Sequence, residues 1–552
     1  MSYGIETGCA KPGRHHPSQE TFDLVVAHAE TLAREGRWLD AQAALTNVLA
    51  EDPRHIAAAS LLVRVHLAQN QIEPACRTIE ALAASGASMP SDLVLLRARL
   101  LLALSRFDES VDAFRTAIAA VPHDGAAELG LAVALGHAGR HEAAADSARA
   151  AIEKGYDTPG AHFVRSRALI ESMRFDEAED ELRNVLRSDP AHAPAHANLV
   201  DLVWMRSGDA AAATAALDDA LGKTDASCEL HVLKSRLLDA AGETGRAYAT
   251  LDAAIRRAGD RVELHAAAAQ LSLKLDDAVR ALRHAEIAHR YAMSDSHVLG
   301  ILGDASLSAG NPERAAAIAE RLLALDPDDG HAMALRASAW RTLGDARYRT
   351  LYDYARFVRV RRLDAPPGWP DLESYLADLA RSLHRKHDAL RAHPLTQTLR
   401  TGTQVELKLT TDEPAIIAFA MAIDGVVRRY LDEIGRGNDI LSRRNTGAYA
   451  IRESWSVRLR AGGYHTNHFH RRGWLSSACY IELPPADAGG SGWLKFGEPC
   501  LPTRAPLAAE YFVRPEPGLL VLFPSWMWHG TMPFAGNGHR TRLTIAFDIV
   551  PG

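Results

Sequence analysis

Cysteine is scarce. The 552-residue chain has five (Cys9, Cys76, Cys228, Cys479 and Cys500), an odd number, widely spread and with no CxxC pair. That excludes a disulfide framework and a four-cysteine zinc site. No apolar run reaches the roughly 18 residues that open a spanning helix, so no membrane span is expected. The opening segment, MSYGIETGCAKPGRHHP, has no apolar core, so no secretory signal is expected and a reducing cytoplasm is the simplest home. Neither sign of charge dominates. With 62 basic and 69 acidic residues the formal charge is -7, which gives nucleic acid no electrostatic claim as a partner. At 47% hydrophobic and 24% charged, the composition also excludes wholesale disorder. At roughly 150 residues per domain, three to four domains are expected.

What the chain does have is a period. A helix-breaking landmark recurs at Gly36, Asn70, Ser105, Gly139, Met173, Gly208, Gly242, Asp276 and Gly310, in steps of 34 or 35 residues. Five residues after each sits a small residue: Ala41, Ala75, Ser110, Ala144, Ala178, Ala213, Ala247, Ala281 and Ala315. A landmark separates two helices, and a small residue lets them cross closely. The pairs Asp52-Pro53, Asp189-Pro190 and Asp326-Pro327 end a second helix and open the next unit. The pattern resembles the tetratricopeptide repeat, with nine copies over about residues 20–330 and one more first helix at 330–344. Such a solenoid holds a peptide or protein segment on its inner surface.

After residue 341 arginines and aromatics interleave; such a stretch can contact RNA or an anionic peptide, and the simpler reading is a helical junction that caps the solenoid. DAPPGWP (364–370) is a rigid turn, and Leu372–His387 is an amphipathic helix. Residues 404–410 read as a strand. Thr411 or Asp412 can cap a helix that starts near Pro414 and ends at Gly435. Beyond it the pattern is β: 454–460, 476–483, 492–496, 518–524 and 542–550 are short alternating or apolar runs bounded by Gly and Pro. Short strands without intervening helices predict a sandwich or jelly roll.

The histidines of this region carry the chemistry. His468 and His470 are two apart on a predicted strand, so they share a face at roughly 6.6 Å between Cα atoms. His529 lies 59 residues beyond His470, just past an apolar strand. Imidazole suits iron, zinc, copper and nickel alike. Arg542 opens the last apolar strand, and a buried guanidinium there needs an anionic partner, best a bidentate carboxylate. Three imidazoles and one buried arginine suggest a metal with a carboxylic-acid cosubstrate.

The stretches SWSVRLRAGGYHTNHFHRRGWLSSACYIELP, GWLKFGEP, PEPGLLVLFPSWMWHGTMPF and RLTIAFD resemble the 2-oxoglutarate/Fe(II) oxygenases that occur fused to tetratricopeptide repeats in bacteria. The resemblance covers about residues 388–552. It implies a double-stranded β-helix (jelly-roll) fold, Fe(II), 2-oxoglutarate and O2. It implies His468 and His529 as metal ligands, and Arg542 as the clamp on the distal carboxylate of 2-oxoglutarate. Arg540, on the same strand face, is the alternative clamp, and Tyr480 is a further donor to the cosubstrate. His465 and Asn467 stand as supporting or substrate contacts. His470 occupies the place where many such enzymes carry an Asp or Glu. The third ligand is therefore His470, a water, or a carboxylate from Glu498 or Asp487.

The expected organisation is an N-terminal tail (1–20), a solenoid (21–345), a helical cap (346–387) and an oxygenase-like jelly roll (388–552). The expected function is a dioxygenase that hydroxylates a protein or peptide side chain recruited by the repeats. Two rivals are a three-histidine cupin-type metal enzyme without 2-oxoglutarate, and a non-enzymatic repeat scaffold with a vestigial oxygenase domain.

Overall fold

The computed structural model describes residues 19–223, 227–409, 413–484, 489–534 and 541–552. Residues 1–18 of the expected N-terminal tail, with Thr411, Asp412, Asp487 and Arg540, lie outside the described residues. The chain divides into two compact units, residues 1–190 and 191–552. Among the described residues, no helix is long and apolar enough to cross a membrane.

Both units use the same helical hairpin. The first contains α1 (Gln19–Arg34) through α10 (Phe175–Ser188), five hairpins in succession. The second opens with α11 (Ala193–Ser207) and continues the alternation to α19 (Gly330–Leu343), the extra first helix. The landmarks explain the turns. All nine, glycine or not, have positive φ, between 58° and 84°. At Gly36 the backbone closes the helix end with Gly36 N–H donating to Ala33 O (3.1 Å) and Arg37 N–H donating to Leu32 O (2.9 Å). The left-handed residue satisfies carbonyls that the helix end would orphan. Asn70, Ser105, Met173 and Asp276 adopt the same conformation without being glycine, at a steric cost. The small residues five positions on are 0–2% exposed, so a larger side chain there has nowhere to go.

The second unit adds the β-rich region. A six-stranded antiparallel sheet has the order β1-β7-β4-β9-β3-β2, and a three-stranded sheet has the order β6-β5-β8. The larger sheet comprises β1 (Arg359–Arg362), β2 (Leu399–Glu406), β3 (Tyr449–His465), β4 (Leu475–Glu482), β7 (Leu519–Pro524) and β9 (Arg542–Pro551). The smaller comprises β5 (Leu494–Phe496), β6 (Tyr511–Val513) and β8 (His529–Thr531). The amphipathic helices stand where the pattern places them, as α22 (Leu372–His387) and α23 (Pro414–Ile434). The apolar stripe of α23, including Ile416, Phe419, Ile423 and Val427, is buried in a core shared with β4, β7 and β9.

That core also takes Met333, Ala334, Ala337 and Trp340 from α19, so the last repeat helix and the sheet are packed as one body. Polar contacts pin the same join. Arg341 donates to Gly497 O and Ala508 O (2.7 Å each), and Trp528 Nε1 donates to Ser338 Oγ (3.0 Å). A Cβ on Gly330 would lie 2.9 Å from His470 O and 3.0 Å from Arg471 O, so only glycine admits that segment.

Two local readings differ. The basic stretch after residue 346 contains two one-turn helices and then β1, an edge strand paired with β7, where a capping helix was expected. Its arginines face outward to carboxylates: Arg359 and Arg361 both bond Glu433 (2.7 Å each). An edge strand tolerates such charges. The segment 466–470 is not a strand; only His468 makes a single bridge, to His529.

Candidate metal centre

Backbone hydrogen bonds bring the three histidines together. His468 N–H donates to His529 O and His529 N–H donates to His468 O (2.8 Å each). Two residues on, His470 N–H donates to Ser525 O (2.8 Å). The result is a cluster in which one potential ligand atom from each of His468, His470 and His529 lies within 4.8 Å of the others.

The other ring nitrogens are engaged. Nδ1 of His468 faces Thr466 O and Nδ1 of His529 faces Met527 O, each at 2.8 Å. A carbonyl only accepts, so both Nδ1 atoms carry the proton and both Nε2 atoms keep a lone pair. Nδ1 of His470 lies 2.7 Å from each oxygen of Asp548. Ser476 Oγ donates to Asp548 Oδ1 (2.7 Å). The carboxylate thus orients the His470 ring and leaves its Nε2 free.

Electrostatics hold His468 and His529 neutral, the form in which imidazole can ligate a metal. Burial pushes His468 down to about 3, and burial with the neighbouring imidazoles holds His529 and His465 well below the usual histidine value. Burial would depress His470 too, but the Asp548 carboxylate overrides it and raises the pKa. Aromatic walls enclose the group. Trp455 lies 5.5 Å from the His470 ring and Phe523 lies 4.6 Å from that of His529.

Arg542 and Tyr480 form a second feature. Both are buried, with the guanidinium carbon 5.2 Å from the tyrosine ring centroid. Among the described residues, Arg542 Nε has no hydrogen-bond partner and no carboxylate pairs with Arg542; the group that its guanidinium faces is the Tyr480 hydroxyl. Burial pulls the guanidinium below its usual range and pushes the phenol up. Arg542 lines a cavity of about 220 Å³ with Trp493, Arg514 and Glu516, which the three histidines do not line. Its charge nevertheless reaches His465 and helps depress it.

The remaining candidates are placed as follows. His465 stacks on His468 at 5.9 Å, and its backbone N–H donates to Thr531 Oγ1 (2.8 Å). His465 and Asn467 both line the large cavity beside the centre. Glu498 lies outside the cluster and pairs with Lys495 (2.6 Å). Asp548 was not singled out from the sequence. Its signal is an acid inside the apolar run TIAFDIV, six residues after Arg542 and so on the same strand face. A buried aspartate demands a partner, and here the partner is His470.

Residues 453–548 match the model of a family described as "Putative 2OG-Fe(II) oxygenase". Tetratricopeptide-repeat models match residues 32–100, 95–159, 163–227 and 302–346. The chain carries a 2OG-Fe(II) oxygenase-family domain behind tetratricopeptide repeats. Two solved structures illustrate the similarity. A tetratricopeptide repeat protein from Parabacteroides merdae is 16% identical, with 46% of this chain and 99% of that one covered and a TM-score of 0.33. Yeast Tom70 is 12% identical, with 61% and 85% covered and a TM-score of 0.35. No curated protein matches the chain. The donor set suits the family's metal: three imidazoles with a free nitrogen each, in an aromatic-walled site.

Proposed function

We propose that the protein is an Fe(II)- and 2-oxoglutarate-dependent dioxygenase that hydroxylates a side chain of a protein or peptide held by its repeats. The observation that carries this reading is the cluster of His468, His470 and His529, each with Nδ1 engaged and Nε2 left to bind. His468, His470 and His529 would hold iron, and Asp548 would keep His470 in the ligating tautomer. Arg542, with its orphaned Nε, would take the distal carboxylate of 2-oxoglutarate, and Tyr480, whose hydroxyl faces that guanidinium, would donate to the same molecule. Bound iron would supply the oxidation: O2 places one oxygen in 2-oxoglutarate, released as succinate and CO2, and the other in a substrate C–H bond. The phenyl and indole walls would keep bulk water from the reacting face. On this reading residues 388–552 form the jelly-roll catalytic domain, 346–387 its junction, and 21–345 the recruiting solenoid.

The test is an anaerobic titration of the metal-free protein with Fe(II) and then 2-oxoglutarate. A visible charge-transfer band of a chelated 2-oxo acid is expected. It should vanish in His529→Ala and need far more 2-oxoglutarate in Arg542→Ala. Bound iron without a band at any concentration would contradict the reading. One observation favours a second reading, a three-histidine metal enzyme without 2-oxoglutarate: Arg542 lines a cavity that the histidines do not. That reading requires Arg542→Ala to keep full activity and no succinate to form.

A further inference from the structure

A cavity of about 1190 Å³ opens on His465 and His468. Its opposite wall is built by first helices of successive repeats: α13 (Cys228–Ala240), α15 (Val262–Lys274), α17 (Ser296–Ser308) and α19. The inner surface of the last repeats and the mouth of the metal centre are therefore one space. That space exceeds the about 300–1,000 Å³ of small-molecule sites.

Its lining carries charges of both signs. Four cationic side chains line it (Lys274, Arg400, Arg471 and Lys495) against two carboxylates, Asp239 and Asp304. Most are already paired. Lys274 bonds Asp239, Arg471 lies 3.4 Å from Asp329, and Lys495 lies 2.6 Å from Glu498. Asp304 is taken by His331 at 2.9 Å. Arg400 is the exception. Its side chain donates to its neighbour's carbonyl, Leu399 O (2.9 Å), and among the described residues no carboxylate pairs with it.

The backbone at Arg400 is also unusual. The β2–β3 register jumps from Arg400↔Tyr464 to Gly402↔Leu459, so β3 loops out four residues against one. Thr401, at the jump, has φ +56°, a left-handed conformation that a β-branched residue strongly disfavours. A Cβ on Gly463 would lie 2.7 Å from Thr401 O, so glycine is required where the two strands close. The bulge sets Arg400 and Tyr464 side by side on the wall of the cavity that holds His465. Strain kept at such a place points to a functional demand on it.

We infer that Arg400 anchors an Asp or Glu side chain of the polypeptide substrate, so that the enzyme selects acidic segments and presents another residue of the same segment to the histidines. A half-buried guanidinium without an internal anion is a ready bidentate receptor for a carboxylate. With the other three cations neutralised by their own carboxylates, Arg400 is the charge left to meet an acidic side chain. This rests on the reading of the centre as one that acts on a polypeptide.

The test is selection from a random-sequence displayed peptide library on the immobilised full chain. Wild type is expected to enrich Asp and Glu about tenfold at one position, the size of one charge-assisted contact. Arg400→Gln should lose that enrichment, Arg400→Glu should replace it with Lys and Arg, and Arg400→Lys should retain part of it. Thermal unfolding of each variant beside wild type separates a lost contact from a lost fold. No recovered peptide, no acidic excess, or an excess unchanged in Arg400→Gln would overturn the inference. Selection needs neither iron nor 2-oxoglutarate. Acidic enrichment without a chelate band would therefore sink the oxygenase reading alone, and a band without enrichment would sink the anchor alone.

Discussion

Two sets of buried or half-buried histidines in this molecule are treated differently. His265, in the repeats, has both ring nitrogens occupied, Nδ1 by His284 (2.8 Å) and Nε2 by Asp260 (3.0 Å). His387, on α22, likewise bonds Thr403 (2.8 Å) and Ser456 (3.0 Å). His468 and His529 have one nitrogen engaged by a carbonyl and the other left to a shared point. His265 and His387 are at least as buried as His468 and His529, so burial does not mark a ligand. The mark is an unbonded lone pair whose partner nitrogen has been given a donor's role.

The largest expected effect follows from removing such a lone pair. His529→Ala should weaken Fe(II) binding by more than the about 10–100-fold typical of losing a supporting contact, while His265→Ala should leave it unchanged. Competition with a coloured chelator reads both. Next is Asp548→Asn, which keeps the shape but removes the charge that orients His470. It should weaken metal binding by about 10–100-fold. If it matches wild type, the carboxylate has no positioning role.

The pH dependence carries a definite sign. His470 has a raised pKa in the folded protein. The His470–Asp548 pair therefore stabilises the metal-free fold fully below the ordinary histidine value of about 6.5. That contribution is lost as pH rises through the raised folded pKa. Metal binding runs the other way, since the ion needs neutral imidazole. Melting curves across this window should show the gain from Fe(II) growing with pH, and Asp548→Asn should flatten the trend. A gain that shrinks with pH would contradict the assignment.

The repeats should respond more modestly. Ala144→Leu overfills a fully buried helix crossing and should cost about 1–3 kcal/mol. Met173→Gly relieves a non-glycine residue at φ +58° and should stabilise by about 1 kcal/mol. Denaturant unfolding reads both, and the opposite sign at Met173 would show that its side chain earns its place by packing.

The same contrast explains what could be read from the sequence. The repeats were legible because one solution is written nine times: Gly36 and Met173 share a conformation that a single copy would hide. At the centre, His468, His470 and His529 were legible because imidazole is chemically distinctive and their spacing suits one ion. Asp548 was not, because its role comes from a partner 78 residues away. The Arg400 bulge was not either, because it depends on how β3 loops against β2. β1 was missed because arginine density looks like a solvated helix, whereas pairing to β7 is a long-range fact.

The most direct test of the account is X-ray absorption on the Fe(II)-loaded full-length protein, counting imidazole ligands by their multiple scattering. Three imidazoles in wild type and two in His470→Ala are expected. Two imidazoles in wild type, unchanged in His470→Ala, would place His470 outside the coordination sphere and contradict the three-histidine centre.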